Sequence, residues 1–397
     1  MTRTLRRFCV LLAVAALTPA CSDKEEPGYT PPETAAQTHL MYMPWSGNLT
    51  SYFRTNIEDM ARVVAEGIPA DVRVLVYFME SPDEASLFEL YRRGGRCERL
   101  TLRTYDPAPD FTAAEGIASV LGDVKREAPA LRYSMSIGSH GMAWLPAVSS
   151  VPGRAAAPAR REYWEHAAPD RPLTRWFGGT SPDHRTEIAT LAEALARTGL
   201  HMEYILFDDC YMSSVEVAYE LRGVTDYLIG STSEIMAYGF PYASAGRHML
   251  GEVDYEGICD AFHAFYSTYT YPYGTIGVTR CAGLEKLADI MRRINAAHAF
   301  DPGRLGDLQR LDGYTPTLFF DLGDYVRRLC SDDALLAEFE KQLDATVPWH
   351  RHTEEYYSMA NGVNPIRTFS GITTSDPSAD PEAAIDRQQT AWWRATH

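Results

Sequence analysis

Apolar and polar positions in this chain fall into two alternating patterns. Short apolar runs that suit buried strands occur at residues 38–43, 72–79, 131–137, 203–207, 227–230 and 275–279. Between them, at 52–66, 82–91, 112–127, 185–198, 213–221, 255–266 and 284–297, apolar residues recur at helical spacing. Strands alternating with helices predict an α/β fold, a mainly parallel central sheet with helices on both faces. The last hundred residues are less regular, with helices expected at 324–330 and 333–345 and extra strands at 356–359 and 369–373. The expected organisation is a core over 38–300 with a smaller carboxyl-terminal region, 301–397, packed on it.

Two of the strands end abruptly in reactive residue types. Tyr204-Ile205-Leu206-Phe207 stops at Asp208-Asp209-Cys210, and the helical pattern through Leu221 follows. Tyr133-Ser134-Met135-Ser136-Ile137 runs out into Gly138-Ser139-His140-Gly141, where glycines let the backbone turn and approach a substrate closely. Ligands of open α/β sheets bind at the carboxyl ends of strands, so both exits point to one sheet edge. A His and a Cys there suit thiol chemistry, in which a thiolate attacks a carbonyl and the imidazole protonates the leaving amine. A lone Cys after a buried strand is more often an inert small hydrophobe. The matching His-Gly exit shifts the reading toward a nucleophile. His350 and His352, in Trp-His-Arg-His, lack acidic or thiol ligands at helical spacing and are expected in a solvated loop.

These blocks resemble the clostripain family of cysteine peptidases, kin to the caspases, gingipains and legumains. The similarity runs from about Thr38 to about Thr374 and is strongest at SIGSHGMAWLP (136–146), FDDCYMSSVEVAYEL (207–221) and DYLIGSTSEIMAYGFPY (226–242). It implies a caspase-like α/β/α sandwich, a His140–Cys210 dyad and an acyl-enzyme, with protein or peptide substrates cut after Arg or Lys. The backbone N–H groups of Gly141 and Cys210 are the candidate oxyanion donors. In the family the Asp two before the Cys lines the pocket for a basic side chain, and Asp208 is the matching position. Strand alternation places Asp208 and Cys210 on one side and Asp209 on the other. The alternative for Asp208 is a strand-end cap on the following helix. Asp209 departs from the family, which usually carries a small residue there, and a second carboxylate beside the thiol disfavours its thiolate. Ser231, Thr232 and Glu234 resemble pocket-wall positions, or else form a polar loop. Two rival classes stand beside the peptidase: an inactive relative acting as a binding module on a surface lipoprotein, and a non-peptidase acyl hydrolase using the same dyad.

The amino terminus reads as a targeting segment. Arg3, Arg6 and Arg7 precede an apolar run over 8–17, then Thr18-Pro19-Ala20 and Cys21, the layout of a secretory signal over 1–20. Its apolar run is too short to span a bilayer as a helix. The Cys resembles that of a bacterial lipoprotein box, although Thr18 stands where a Leu is usual, and implies lipid attachment at Cys21; the alternative is a plain cleaved signal. Asp23-Lys24-Glu25-Glu26 resembles the export tag of surface lipoproteins in Bacteroides-like bacteria. An acidic, Pro-containing tether over 21–37 and an outer-membrane lipoprotein facing the cell surface or the periplasm are therefore expected.

Composition narrows the partners. At 45% hydrophobic and 11% aromatic residues the chain can bury a large core. Removal of residues 1–20 takes away three Arg and no acid, moving the formal charge from -16 to -19, which argues against nucleic acid. Beyond Cys9 and Cys21, the thiols Cys97, Cys210, Cys259, Cys281 and Cys330 are odd in number and unpatterned, which argues against a disulfide framework or a zinc site. No redox or organic cofactor is implied; some relatives in the family require calcium, and the surface carboxylates here neither show nor exclude it. Residues 146–183, rich in Pro, Ala and Arg, show no sustained period until near Asp183. Arg154, Arg160, Arg161 and Arg171 make this segment a candidate site of self-processing, between about residues 154 and 172, unless it is a plain surface insertion. Several members of the family are cut between the His and the Cys and keep both pieces together.

Overall fold

Among the described residues the central sheet has nine strands. They are β1 Ala35–Met43, β2 Val72–Met79, β3 Ala85–Arg93, β4 Arg96–Tyr105, β5 Ala130–Gly138, β6 Met202–Asp208, β7 Thr225–Gly230, β8 Thr275–Arg280 and, after a short β9 Phe320–Asp321 outside this sheet, β10 Trp349–His352. Their order is β10-β8-β7-β6-β5-β1-β2-β3-β4, and only β3 and β8 run against the others. The computed structural model describes residues 29–146 and 184–397. The described residues from 31 onward form one compact unit.

Among the described residues the helices are α1 Thr50–Glu66, α2 Ala114–Glu127, α3 Ile188–Thr198, α4 Val215–Leu221, α5 Tyr242–Met249, α6 Tyr255–Thr268, α7 Leu284–Ala297, α8 Leu322–Leu329, α9 Asp333–Thr346, α10 Pro381–Asp386 and α11 Ala391–Thr396. Strand order reverses between β1 and β5: β1 leads through α1 to β2 on one side, whereas β5, α3, β6, α4 and β7 step away on the other. Right-handed crossovers in opposite directions place α1 on one face and α3 and α4 on the other. Packing agrees, since α1 meets α5 and α5 meets α6, while α2 meets α3, α3 meets α4, and α4 meets α11. The result is an α/β/α sandwich. Its central strands β1, β2 and β6 are buried on both faces almost throughout, which is why they read as continuous apolar runs.

Several elements differ from the sequence expectation. Where a helix was expected over 82–91, the strand β3 runs over Ala85–Arg93. Glu84, Ala85, Leu87, Glu89 and Leu90 are good helix formers, but pairing with β2 and β4 buries Leu87, Phe88 and Leu90 together, and tertiary burial outweighs local propensity. Glu89 lies inside because Arg73 of β2 grips it with two hydrogen bonds, of 2.9 and 2.6 Å. The hairpin to the unexpected edge strand β4 turns through Gly94 and Gly95, at φ 57° and 76°, with Arg93 paired to Arg96. Two consecutive positive φ values make this the glycine-favoured tight hairpin turn.

Further differences lie toward the carboxyl end. His350 and His352 are partly buried in β10 against β8, not in a solvated loop. Of 369–373 only the last residue is strand, in β13 Thr373–Thr374 against β9, while 356–359 largely coincides with β11 Glu355–Ser358, which pairs with β12 Gly362–Pro365. Helix α5 was not anticipated, and β1 opens three residues early.

Candidate active site

Four neighbouring strands deliver the site from their carboxyl ends. Asn48 follows β1 on a 3-10 turn, Gly47–Leu49; His140 follows β5; Cys210 follows β6; and the segment 231–240 follows β7. Gly138 and Asp208 are register partners in the parallel β5–β6 pair, so His140 and Cys210 each sit two residues past matched positions on adjacent strands. The two exits touch. A Cβ on Gly141 would stand 2.2 Å from the Cys210 carbonyl oxygen and 2.9 Å from its amide nitrogen, so only glycine lets the His loop lie against the Cys peptide.

The two carboxylates beside the thiol point in different directions. Asp209 accepts from the Ser139 amide at 2.5 Å and from the Ser139 hydroxyl at 3.2 Å, tying the exit of β6 to the exit of β5. Asp208 accepts from the Phe240 amide at 2.6 Å, and Cys210 Sγ accepts from the Ile235 amide at 3.3 Å. Asp208 and Cys210 thus both engage the segment after β7, while Asp209 engages β5. An N–H aimed at sulfur is placed to hold the charge of a thiolate.

On the imidazole, Nε2 lies 2.9 Å from Asn48 Oδ1. With that amide oxygen as acceptor, Nε2 carries the hydrogen and Nδ1 becomes the basic nitrogen. Asn48 escaped the sequence reading. The signal available was a Gly-Asn turn following a predicted strand toward the same sheet edge as His140.

Tyr211, directly after Cys210, holds φ 62°, a left-handed conformation unusual for a bulky side chain. It is held on several sides. Its amide donates to Ser233 O at 3.0 Å, its hydroxyl donates to Glu234 at 2.8 Å, and its ring stacks on Phe319 with centroids 4.8 Å apart. This turn ends β6 sharply and fixes where Cys210 points. Glu234 also accepts from the Ser358 hydroxyl at 2.6 Å and the Met359 amide at 3.1 Å, so its carboxylate braces the Tyr211 turn against the segment after β11. Nearby Asp312 accepts three amide hydrogen bonds, yet burial, reinforced by the charge of Glu234, pushes its carboxyl up to about 7. Ser231 shares its hydroxyl with Thr275 at 2.8 Å, and the buried Thr232 Oγ1 has no hydrogen-bond partner among the described residues.

The remaining thiols are of another kind. Burial pushes Cys259 and Cys281 up to about 12 and Cys97 up to about 11, which keeps them protonated and inert. All five described cysteines are free of disulfides. Among the described residues no cluster of three His, Cys, Asp or Glu side chains is placed to hold a metal ion, and no helix is long and apolar enough to cross a membrane. Cys21, Arg154, Arg160, Arg161 and Arg171 lie outside the described residues.

A Cys and a His leaving adjacent strands at the carboxyl edge of this sandwich match the layout of a caspase-like cysteine peptidase. Residues 164–298 match the model of the clostripain family. A secreted C11 cysteine protease from Bacteroides thetaiotaomicron, "iotapain", is 51% identical, over 92% of this chain and 100% of that one, with a TM-score of 0.84. A clostripain from Bacteroides thetaiotaomicron ATCC 29148, solved in complex with the peptide inhibitor BTN-VLTK-AOMK, is 58% identical over 56% of this chain and 99% of its own, with a TM-score of 0.55. An inactive zymogen C11 protease from Parabacteroides distasonis is 26% identical over 93% of this chain and 100% of its own, with a TM-score of 0.76. No curated protein matches the chain. The chain belongs to the clostripain family and is a cysteine peptidase.

Proposed function

We propose that this peptidase cleaves polypeptides after Lys or Arg, with Cys210 as nucleophile and His140 as proton carrier. The contact of Gly141 with the Cys210 peptide carries the reading, because it holds the imidazole loop and the thiol loop at one place. Cys210 Sγ attacks the carbonyl carbon of the basic residue. The amides of Gly141 and Cys210 hold the oxyanion, and His140 Nδ1–H protonates the leaving nitrogen. Water then attacks the thioester, giving its proton to His140, and the thiolate is released. Asn48 keeps the ring in the required tautomer throughout.

Asp208 supplies the basic specificity. Its carboxylate is buried on the same side as the thiol, and in a site with little water an ionised partner is strongly favoured. The related clostripain binds a peptide written VLTK, whose last residue before the reactive group is lysine. Thr232 Oγ1 is available to the same substrate side chain, whereas Asp209 and Glu234 act as braces.

Both dyad residues are 0% exposed, which supports a latent intact chain that gains access on cleavage at Arg154, Arg160, Arg161 or Arg171. A relative described as an inactive zymogen fits this order of events. Lipid on Cys21 then holds the enzyme at the outer membrane, and Cys21→Ser releases it to the soluble fraction.

A fluorogenic panel with Lys, Arg, Asp, Asn and neutral residues before the reporter, run with and without calcium, tests the proposal. Wild type cuts the Lys and Arg substrates and runs as two fragments on a denaturing gel; Cys210→Ala cuts none and stays one chain. Asp208→Asn loses most Lys and Arg cleavage. Equal cleavage of neutral and basic substrates removes the role of Asp208, and activity in Cys210→Ala removes the dyad.

A further inference from the structure

Beside the dyad lies a groove of about 570 Å³ that the chemistry above does not use. Arg310, Tyr314, Phe320, Tyr356, Asn364 and Arg367 line it, together with apolar and small polar residues and no carboxylate. Its near wall reaches the active site. The Tyr314 ring lies 6.0 Å from the ring of Tyr211, the residue after Cys210, and its hydroxyl lies 3.5 Å from the sulfur of Met142, two residues after His140.

Both guanidinium groups are exposed, and neither pairs with a carboxylate among the described residues. Arg310 donates to Asn364 Oδ1 at 3.4 Å, and Arg367 is anchored through its backbone amide, which donates to Gln309 at 2.8 Å. The chain carries 53 acidic against 37 basic residues, and the nearby Arg304, Arg327 and Arg328 each hold an acid. Asn364, 5% exposed, is fixed by bonds to Asn361 and Gly362, and Tyr356 donates to Asp312 O at 2.9 Å, so the floor is set before any ligand arrives.

We infer that this groove is a subsite for acidic side chains of an extended polypeptide substrate, flanking the basic residue at which it is cut. The inference rests on the peptidase reading and adds a selectivity to it. Guanidinium forks match carboxylate geometry, and the aromatic and proline walls suit an extended backbone between them.

Quenched peptides with one Lys and a tract of Asp and Glu, or of Asn and Gln, on either side of it provide the test. Wild type is expected to favour one acidic arrangement by about tenfold in kcat/KM, what two exposed guanidinium–carboxylate pairs supply together. High salt should shrink the preference. The variant Arg310→Gln with Arg367→Gln should lose it while cleaving a short Lys reporter normally, and Arg310→Glu with Arg367→Glu should invert it toward Lys-rich tracts. Fluorescence anisotropy of the acidic peptide on Cys210→Ala reads groove binding without turnover, and should weaken about tenfold when both arginines are also replaced. Equal constants for acidic and neutral tracts, or a preference that survives Arg310→Gln with Arg367→Gln, overturns the inference. Failure to cleave any Lys peptide while arginine-dependent binding persists strikes the peptidase reading and upholds the groove.

Discussion

Replacing Gly141 by Ala tests the geometry of the dyad with a single methyl group. Gly141 does not have a positive φ, so Ala can adopt its backbone conformation and the effect is steric. The new Cβ would lie 2.2 Å from Cys210 O, 2.8 Å from Asp209 Cβ and 2.9 Å from Cys210 N. Relieving the first contact to a still tight separation requires the loops to part by about 0.8 Å, and the opposing atoms are mostly backbone that cannot swing aside. A displacement of this order at a reacting centre costs about a hundredfold in rate, or about 2.7 kcal/mol of transition-state stabilisation. Most of the loss should fall on kcat, since thiol, imidazole and oxyanion donors all change their relative positions. Overpacking should also cost about 1–3 kcal/mol of stability. The assay is kcat and KM on a Lys reporter, with thermal melts of both proteins. Gly122→Ala on α2, where a Cβ meets nothing within 4 Å, is the matched control. It should leave activity alone and add roughly 0.5–1 kcal/mol of stability. If Gly141→Ala keeps its kcat/KM within about threefold of wild type, well short of that hundredfold loss, the two strand exits do not meet as described.

Three further outcomes are expected. Asn48→Ala should lower kcat about ten- to a hundredfold with little change in melting, while Asn48→Asp, which keeps an acceptor at Nε2, restores most of it and raises the alkaline limit of the pH–rate profile; equal profiles would deny Asn48 a positioning role. Burial pushes the Glu216 carboxyl up to about 7 and that of Asp376 up to about 6, so between about pH 4.5 and 7 the folded chain keeps protons the unfolded chain has released, and stability falls as pH rises through that window. Glu216→Gln should flatten the fall in denaturant titrations, and a wild type equally stable at both ends of the window would refute it. Arg73→Met leaves Glu89 buried without its guanidinium and should cost about 3–5 kcal/mol, most of it recovered by adding Glu89→Leu, as measured by urea unfolding.

The parallel centre of the sheet was legible in the sequence because β1, β2 and β6, and the carboxyl-terminal parts of β5 and β7, are buried on both faces, and burial leaves a run of apolar residues with a polar stop. The same feature exposed the exits at His140 and Cys210. What misled was the antiparallel flank. In 82–91, helix-forming residues carry a strand whose charge, Glu89, is neutralised by a partner sixteen residues away that no local pattern announces. Gly94-Gly95 was the missed cue. Within the site, sequence alternation separated Asp208 from Asp209, but the partners Phe240 and Ser139 are set by how neighbouring strands line up. Asn48 and Tyr314 belong to segments far from both motifs, brought in by the reversal of strand order at β1 and by the packing of the carboxyl-terminal segments.

The polar contacts between residues before 146 and those after 184 bear on how the dyad can survive a cut between its members. His140 belongs to the first set and Cys210 to the second, and β5 and β6 pair directly as adjacent parallel strands. Asp209 holds Ser139, Arg132 holds Glu203 at 2.6 Å, Gln37 accepts from the Gly251 amide at 2.7 Å, and Trp144 donates to Ser375 at 3.0 Å. Asn56 reaches Tyr238 O at 3.0 Å from the opposite helical layer. Each such bond contributes only about 1 kcal/mol, but they lie over a shared apolar core whose burial is far larger. A cut between the two sets would therefore leave these contacts in place. Asp209 is the clearest case. Its carboxylate is directed at Ser139, so it fastens the strand exit that carries His140 to the one that carries Cys210.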